Sequence, residues 1–107
     1  MTIVVDVAKA YDRHFVFLNT GVIMKKTHRK TLELIFSYPV PTNLEWRRIE
    51  SLFSALGATS SEGSGSRVRF LLNDVVATFH RPHPTKEAKP YQVRDARTFL
   101  ENAGVKP

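Results

Sequence analysis

Apolar positions recur at helical spacing in the first half of the chain. Leu32, Ile35 and Phe36 lie at i, i+3 and i+4, which predicts a short amphipathic helix. Pro39 and Pro41 follow directly, and proline cannot continue a helix because it lacks the backbone N–H. The first helix is therefore expected to end before Pro39.

A second helix is predicted after these prolines. The stretch TNLE places Glu45 three residues after Thr42, which is the spacing of a capping box with Thr42 as N-cap. The helix then keeps one apolar face, which consists of Trp46, Ile49, Phe53 and Leu56. Gly57 follows at the position where a C-cap glycine is favoured.

The segment RVRFLLNDVVATFH predicts a β-hairpin. Asn73 and Asp74 tolerate the positive φ of a tight two-residue turn, and apolar residues alternate on both sides of it. With this turn, one face is apolar and pairs Leu72 with Val75, Phe70 with Ala77, and Val68 with Phe79. The opposite face pairs Leu71 with Val76, Arg69 with Thr78, and Arg67 with His80.

Two further elements complete the predicted fold. A short strand at residues 58 to 62 precedes the turn-rich stretch SSEGSGS, and a last helix runs from about Tyr91 to Ala103 and ends at Gly104. The helix buries one face, made of Val93, Ala96, Leu100 and Ala103. The order helix, helix, three strands, helix predicts an α+β domain in which helices pack on the apolar face of one antiparallel sheet.

The domain is expected to span residues 24–107. Residues 1–23 show neither helical nor strand periodicity, whereas Met24 opens a basic leader that runs into the first helix. Residues 1–23 are therefore expected to be a poorly ordered extension or a start-site artefact. The alternative is an N-terminal strand built from Ile3, Val4, Val5 and Val7.

Charge and cysteine content narrow the function classes. Sixteen Lys and Arg against ten Asp and Glu give a net charge of +6 and a pI near 10, which favours a polyanionic or acidic partner. The chain has no cysteine, so disulfides, thiolate zinc sites and thiol nucleophiles are excluded, and a reducing cytoplasm fits. No apolar run approaches the ~20 residues that span a bilayer, and no secretory signal is evident, so no membrane role is predicted.

Four side chains are predicted to share the polar face of the hairpin: Arg67, Arg69, Thr78 and His80. Guanidinium groups match phosphate oxygens, and histidine exchanges protons near neutral pH, so this face suits a phosphodiester. The alternative is a solvated sheet face that merely carries basic residues.

The stretch FHRPHPTKEAKP follows the hairpin. Pro82 and Pro84 restrict the backbone around His83, and Lys86 and Lys89 lie just before the last helix, whose N-terminal amides are expected to attract an anion. Three arginines extend the basic surface: Arg81, Arg94 and Arg97. Solvated charges are again the alternative.

Metal-binding and nucleotide-binding motifs are not completed in this sequence. His80 and His83 are too few ligands for a metal site at a recognised spacing, and EGSGSR lacks the lysine of a phosphate-binding loop.

Taken together, these segments resemble the HicA toxins of bacterial type II toxin-antitoxin pairs, over roughly Met24 to Val105. The helix ending in ALGA, the GSR before a strand and the run PHPTKEAKPYQVRDARTFLENAG carry the resemblance. It implies a fold like the double-stranded-RNA-binding domain and a ribosome-independent mRNA interferase without cofactor or metal. It also implies neutralisation by a HicB-like antitoxin.

One position departs from the family pattern. In much of the family, the glycine and serine before this strand precede a histidine regarded as catalytic, whereas here Gly65 and Ser66 precede Arg67. The hairpin register places His80 opposite Arg67. His80 and His83 are therefore expected to act as base or acid, with Arg67 stabilising charge.

RNA contacts beyond the chemistry are assigned to Arg69, Arg81, Lys86, Lys89, Arg94 and Arg97. Two other functions stay open at this point. One is a non-catalytic RNA-binding module, and the other is a toxin-like protein without catalysis that mainly binds its antitoxin.

Overall fold

Residues 15–17 and 23–107 are described by the computed structural model. Their elements are β1 (Phe15–Phe17), β2 (Ile23–Lys25), α1 (Lys26–Ile35), α2 (Trp46–Ala55), β3 (Thr59–Glu62), β4 (Arg67–Leu72), β5 (Val75–His80) and α3 (Pro90–Asn102). The α+β architecture predicted from the sequence is confirmed.

The N-terminal part adds a small antiparallel ribbon that periodicity did not predict. β1 pairs with β2 so that Val16 lies opposite Met24. The alternative strand at Ile3 to Val7 lies outside the described residues, as does most of the predicted extension. The boundary near residue 24 therefore stays a prediction.

The hairpin of β4 and β5 has the predicted register. Asn73 and Asp74 form the turn with φ of 49° and 67°, and Arg67 lies opposite His80 at the far end. β3 pairs with the other edge of β4, which gives the sheet order β3-β4-β5. Because buried and exposed residues alternate along β4, one face of the sheet meets the core and the other meets solvent.

An aromatic cluster joins α2 and α3 to the sheet. The Phe53 ring of α2 is fully buried, and its centroid lies 5.0 Å from that of Phe70, 5.8 Å from that of Phe79 and 5.1 Å from that of Phe99. Trp46 packs against Phe79 at 5.2 Å. Edge-to-face and tilted rings at these separations attract one another beyond the burial of their area. The cluster therefore holds both helices on one face of the sheet.

α1 packs against α2 and α3. Its apolar face buries Leu32 and Ile35, and the Arg48 guanidinium of α2 donates to the Thr31 hydroxyl at 3.2 Å. The helix begins at Lys26, so it includes the part of the basic leader that follows β2.

The prediction that Thr42 caps α2 is wrong. The helix begins at Trp46 with Glu45 in the N-cap position, and no side chain caps it. The backbone around Glu45 is extended, because the Trp46 N–H donates to the Lys86 carbonyl at 2.9 Å and the Ala88 N–H donates to the Leu44 carbonyl at 2.8 Å. This bridge keeps the chain out of the helical conformation until Trp46.

Both predicted C-terminal glycines are confirmed. Gly57 and Gly104 have φ of 98° and 82°, which glycine adopts without strain. Beyond the helix, the Asn73 side chain of the hairpin turn donates to the Ala103 carbonyl at 2.8 Å and so ties the turn to the end of α3. Within the described residues, every helix is too short or too polar to span a bilayer.

Candidate functional site

The outer face of the hairpin brings together the four predicted polar side chains. Arg67 lies opposite His80 and Arg69 lies opposite Thr78, and all four residues are exposed. Arg67 Nη2 donates to the Ser64 hydroxyl at 3.0 Å, so the turn between β3 and β4 supports the guanidinium. A shallow cavity of about 280 Å³ lies over this face and is lined in part by Ser64, Arg67, Arg69 and Thr78.

Arg81 follows His80 and is held by two carboxylates. Its Nε donates to Glu50 of α2 at 2.7 Å, and its Nη2 donates to Glu62 of β3 at 2.9 Å. Glu50 also accepts the indole N–H of Trp46. The hydrogen bonds to Glu62 and Glu50 raise the pKa of Arg81, and the bond from Arg81 lowers the pKa of Glu62. Arg81 was predicted to bind RNA, and in the structure its guanidinium joins α2 to β3.

The buried side chain of Gln92 holds the backbone of His80. Gln92 is 2% exposed, and its Nε2 donates to the His80 carbonyl at 2.5 Å while its Oε1 accepts the Lys89 N–H at 2.9 Å. The start of α3 is thereby bonded to the end of β5. Arg81 and Gln92 together fix the main chain on both sides of the His80 peptide group.

His83, Lys86 and Lys89 lie exposed in the loop between β5 and α3. The loop is tied to the start of α2 by the bridge of Glu45 with Glu87. The backbone around Lys86 is therefore fixed although its side chain faces solvent.

The predicted free amide donors at the start of α3 are mostly engaged or absent. Pro90 has no N–H, the Lys89 N–H donates to the Gln92 side chain, and the Gln92 N–H donates to the Lys89 carbonyl at 2.8 Å. The expectation of an open anion site on these amides is therefore wrong for three of the four residues from Lys89 to Gln92.

The two arginines of α3 differ in their surroundings. Arg94 is exposed, in keeping with the predicted basic surface. Arg97 instead donates to the carbonyls of Ile35 at 2.9 Å and Ser37 at 3.0 Å. A cation at these carbonyls satisfies the C-terminal end of α1, so Arg97 has a clear structural function.

Sequence reasoning did not find Glu50, Glu62 or Gln92. The two glutamates contact Arg81 across 31 and 19 residues, a separation that carries no local pattern. The sequence does contain a signal for Gln92, because this polar residue lies four positions before Ala96 and interrupts the apolar face of the helix. Among the residues that the structure describes, no group of three or more His, Asp or Glu side chains could hold a metal ion.

The contact of Arg81 with Glu62 predicts a pH-dependent contribution to stability. Replacing Arg81 with methionine removes the cation that lowers the pKa of Glu62 from its usual value. A lowered carboxyl pKa stabilises the fold above the unfolded pKa, and this contribution is lost as the pH falls through the folded pKa. The variant should therefore unfold at lower urea concentration than the parent at pH 7, and the difference should shrink at pH 3.

Urea unfolding followed at pH 7, 5 and 3 measures this difference. Arg29→Met is the matched control, because Arg29 forms an exposed ion pair with Glu33 at 3.3 Å. A difference between Arg81→Met and the parent that stays constant across the three pH values would contradict the prediction.

Comparison with known protein families gives a match over the second half of the chain. The profile of the family described as HicA toxin of bacterial toxin-antitoxin matches residues 46–105, which is more than half of the chain. The matched part begins with α2 and contains the whole sheet and α3, whereas β1, β2 and α1 precede it. Searches of curated proteins and of solved structures found no match.

Proposed function

Because this chain belongs to the family of HicA toxins of bacterial toxin-antitoxin pairs, we propose that it binds and cleaves mRNA. The observation that best supports this function is the register of the hairpin, which pairs Arg67 with His80 on an exposed face beside Arg69. A cation and a proton-exchanging group lie side by side there, as cleavage of a phosphodiester requires.

The proposed reaction is an attack of the RNA on itself. The ribose 2′-oxygen forms a bond to phosphorus, its proton passes to a histidine acting as base, and the bond from phosphorus to the 5′-oxygen breaks. A second histidine acting as acid protonates the departing 5′-oxygen. His80 and His83 are the proposed base and acid, in either order.

Arginine serves a different purpose in this scheme. Its guanidinium stays protonated, so Arg67 and Arg69 would stabilise the extra negative charge on the phosphorane rather than exchange protons. Lys86, Lys89 and Arg94 would hold flanking phosphates, because each is exposed. Arg81 and Arg97 would act indirectly, through the backbone segments that they anchor.

Cleavage in the presence of EDTA tests this function. The purified protein should cut single-stranded RNA into fragments that carry a 2′,3′-cyclic phosphate and a 5′-hydroxyl, because the 2′-hydroxyl is the nucleophile. The ends can be identified by mass spectrometry. The same sequence with 2′-deoxyribose should stay intact, and cleavage of that DNA strand would contradict the mechanism.

The partner implied by the family is an antitoxin protein, and we propose that it is HicB-like. A basic surface attracts an acidic protein as well as RNA, so the antitoxin would neutralise the toxin by competing for the same cations. Induced expression with and without the adjacent reading frame tests this proposal. Growth arrest that the adjacent frame fails to relieve would contradict it.

Arg67 favours a second candidate function, a non-catalytic RNA-binding module. Arginine binds phosphate without moving protons, so the residue after Ser66 suits binding better than chemistry. Protein that shifts RNA in a gel and leaves it intact would support this second function over the first.

A further inference from the structure

A cleft of about 540 Å³ lies beside the loop that carries His83. It is lined by residues 45–47 at the start of α2 and by residues 81, 82 and 84–86 after β5. This volume falls within the range of small-molecule pockets. The cleft is separate from the cavity over the outer face of the hairpin.

The walls of the cleft are held in place by contacts already described. Backbone hydrogen bonds of Trp46 and Ala88 join the two segments, and the Arg81 guanidinium is fixed by Glu50 and Glu62. A cleft that is built before its ligand arrives costs little entropy to fill. Its shape is thus suited to selecting a ligand.

Three kinds of group line the cleft. Pro82, Pro84 and the mostly buried Trp46 offer apolar surface. Arg47, which is 81% exposed, and Lys86 offer positive charge, while Glu45 is 33% exposed and offers a carboxylate. A nucleotide uses all three kinds of group, because its base is flat and apolar, its edge carries N–H donors and its phosphate is an anion.

From these groups we infer that the cleft is a subsite for one RNA nucleotide next to the cleaved bond, and that Glu45 selects a guanine there. The inference rests on the proposed function, since the bond in question is the one assigned to His80 and His83. Pro82 and Pro84 line the cleft and flank His83 in the chain, so a nucleotide in the cleft would lie near His83.

The preference for guanine follows from hydrogen-bonding groups. Guanine presents two adjacent donors, N1–H and the N2 amino group, which match the two oxygens of a carboxylate. Uracil presents one N–H between two carbonyl oxygens, and a carboxylate repels those oxygens. Arg47 contacts Glu45 Oε1 at 3.2 Å, and such an exposed ion pair is weak enough to yield to a base.

Binding of two short RNAs tests the inference without relying on cleavage. Fluorescence anisotropy compares hexauridine with hexauridine that carries one guanosine, using the His80→Ala protein so that cleavage of both RNAs is slow during the measurement. The guanosine RNA should bind about 5- to 150-fold more tightly, in line with the value of one bidentate base contact. Adding Glu45→Gln should remove most of this preference, because the amide presents a donor where the carboxylate had an acceptor.

Two controls complete the design. Glu33→Gln changes an exposed glutamate that also pairs with an arginine, and it should leave the preference unchanged. Lys86→Met should weaken the binding of both RNAs to the same extent, because a contact to phosphate does not distinguish one base from another. Equal binding of the two RNAs by the His80→Ala protein, or a preference that survives Glu45→Gln, would overturn the inference.

Cleavage by the parent protein, measured separately, reports on the proposed function. If the protein prefers guanosine through Glu45 and never cuts RNA, the subsite is supported and the proposed function is contradicted. If the protein cuts RNA and its binding preference does not depend on Glu45, the proposed function is supported and the subsite is contradicted.

Discussion

Replacing His80 with alanine should lower the rate of RNA cleavage by about 10²- to 10⁴-fold, the usual contribution of a positioned general acid or base. This effect is expected because His80 lies opposite Arg67 on the exposed face of the sheet, and the buried Gln92 side chain holds the His80 carbonyl in position. Initial rates on a labelled RNA measure the effect, and growth arrest after induced expression should weaken with it.

Comparison with two other histidines makes this experiment specific. His83→Ala should also slow cleavage if the two histidines act as a pair. His28→Ala should leave the rate unchanged, because His28 lies on α1 beside Ser51 and Ser54 and away from the outer face of the sheet. If His80→Ala and His83→Ala both cleave RNA and arrest growth like the parent, the assignment of these residues is wrong.

The largest effect on stability is expected at Phe53. Phe53→Ala should reduce the free energy of unfolding by about 3–5 kcal/mol, because a fully buried ring that contacts three other phenylalanines leaves a cavity. Domains of this size are commonly stable by only about 5–15 kcal/mol, so the variant should be close to unfolding. Urea unfolding followed by the fluorescence of Trp46, the single tryptophan, measures the loss.

Tyr38→Ala is the matched control for this variant. Tyr38 is 91% exposed, and surface substitutions of this kind usually change stability by less than about 0.5 kcal/mol. A loss of less than about 1 kcal/mol for Phe53→Ala would mean that the aromatic cluster does not hold the helices on the sheet.

The hairpin was predictable because its determinants are local. A two-residue turn at Asn73 and Asp74 sets the register, and strict alternation then decides which side chains meet the core. The pairing of Arg67 with His80 follows from that register alone. The short C-terminal signals at Gly57 and Gly104 were predictable for the same reason.

Contacts between distant segments were not predictable. The bridge of Glu45 with Glu87 delays the start of α2, and it overrides the capping pattern at Thr42 because a paired backbone cannot also turn into a helix. The sequence suggests that Arg81 and Arg97 are surface cations, yet each donates hydrogen bonds to residues more than 15 positions away along the chain. Long-range partners of this kind separate anchoring arginines from exposed ones such as Arg69 and Arg94.

The hydrogen bond from Asn73 to Ala103 has a consequence for protein synthesis. A ribosome makes the hairpin before α3, and Phe79 on the apolar face of the hairpin is covered by Phe99 only once α3 exists. Domains generally fold as units during translation, so the hairpin is expected to become stably folded only together with α3. On the proposed function, a nascent chain therefore acquires RNA-cleaving activity only after α3 has been made, and not when the hairpin that carries His80 emerges.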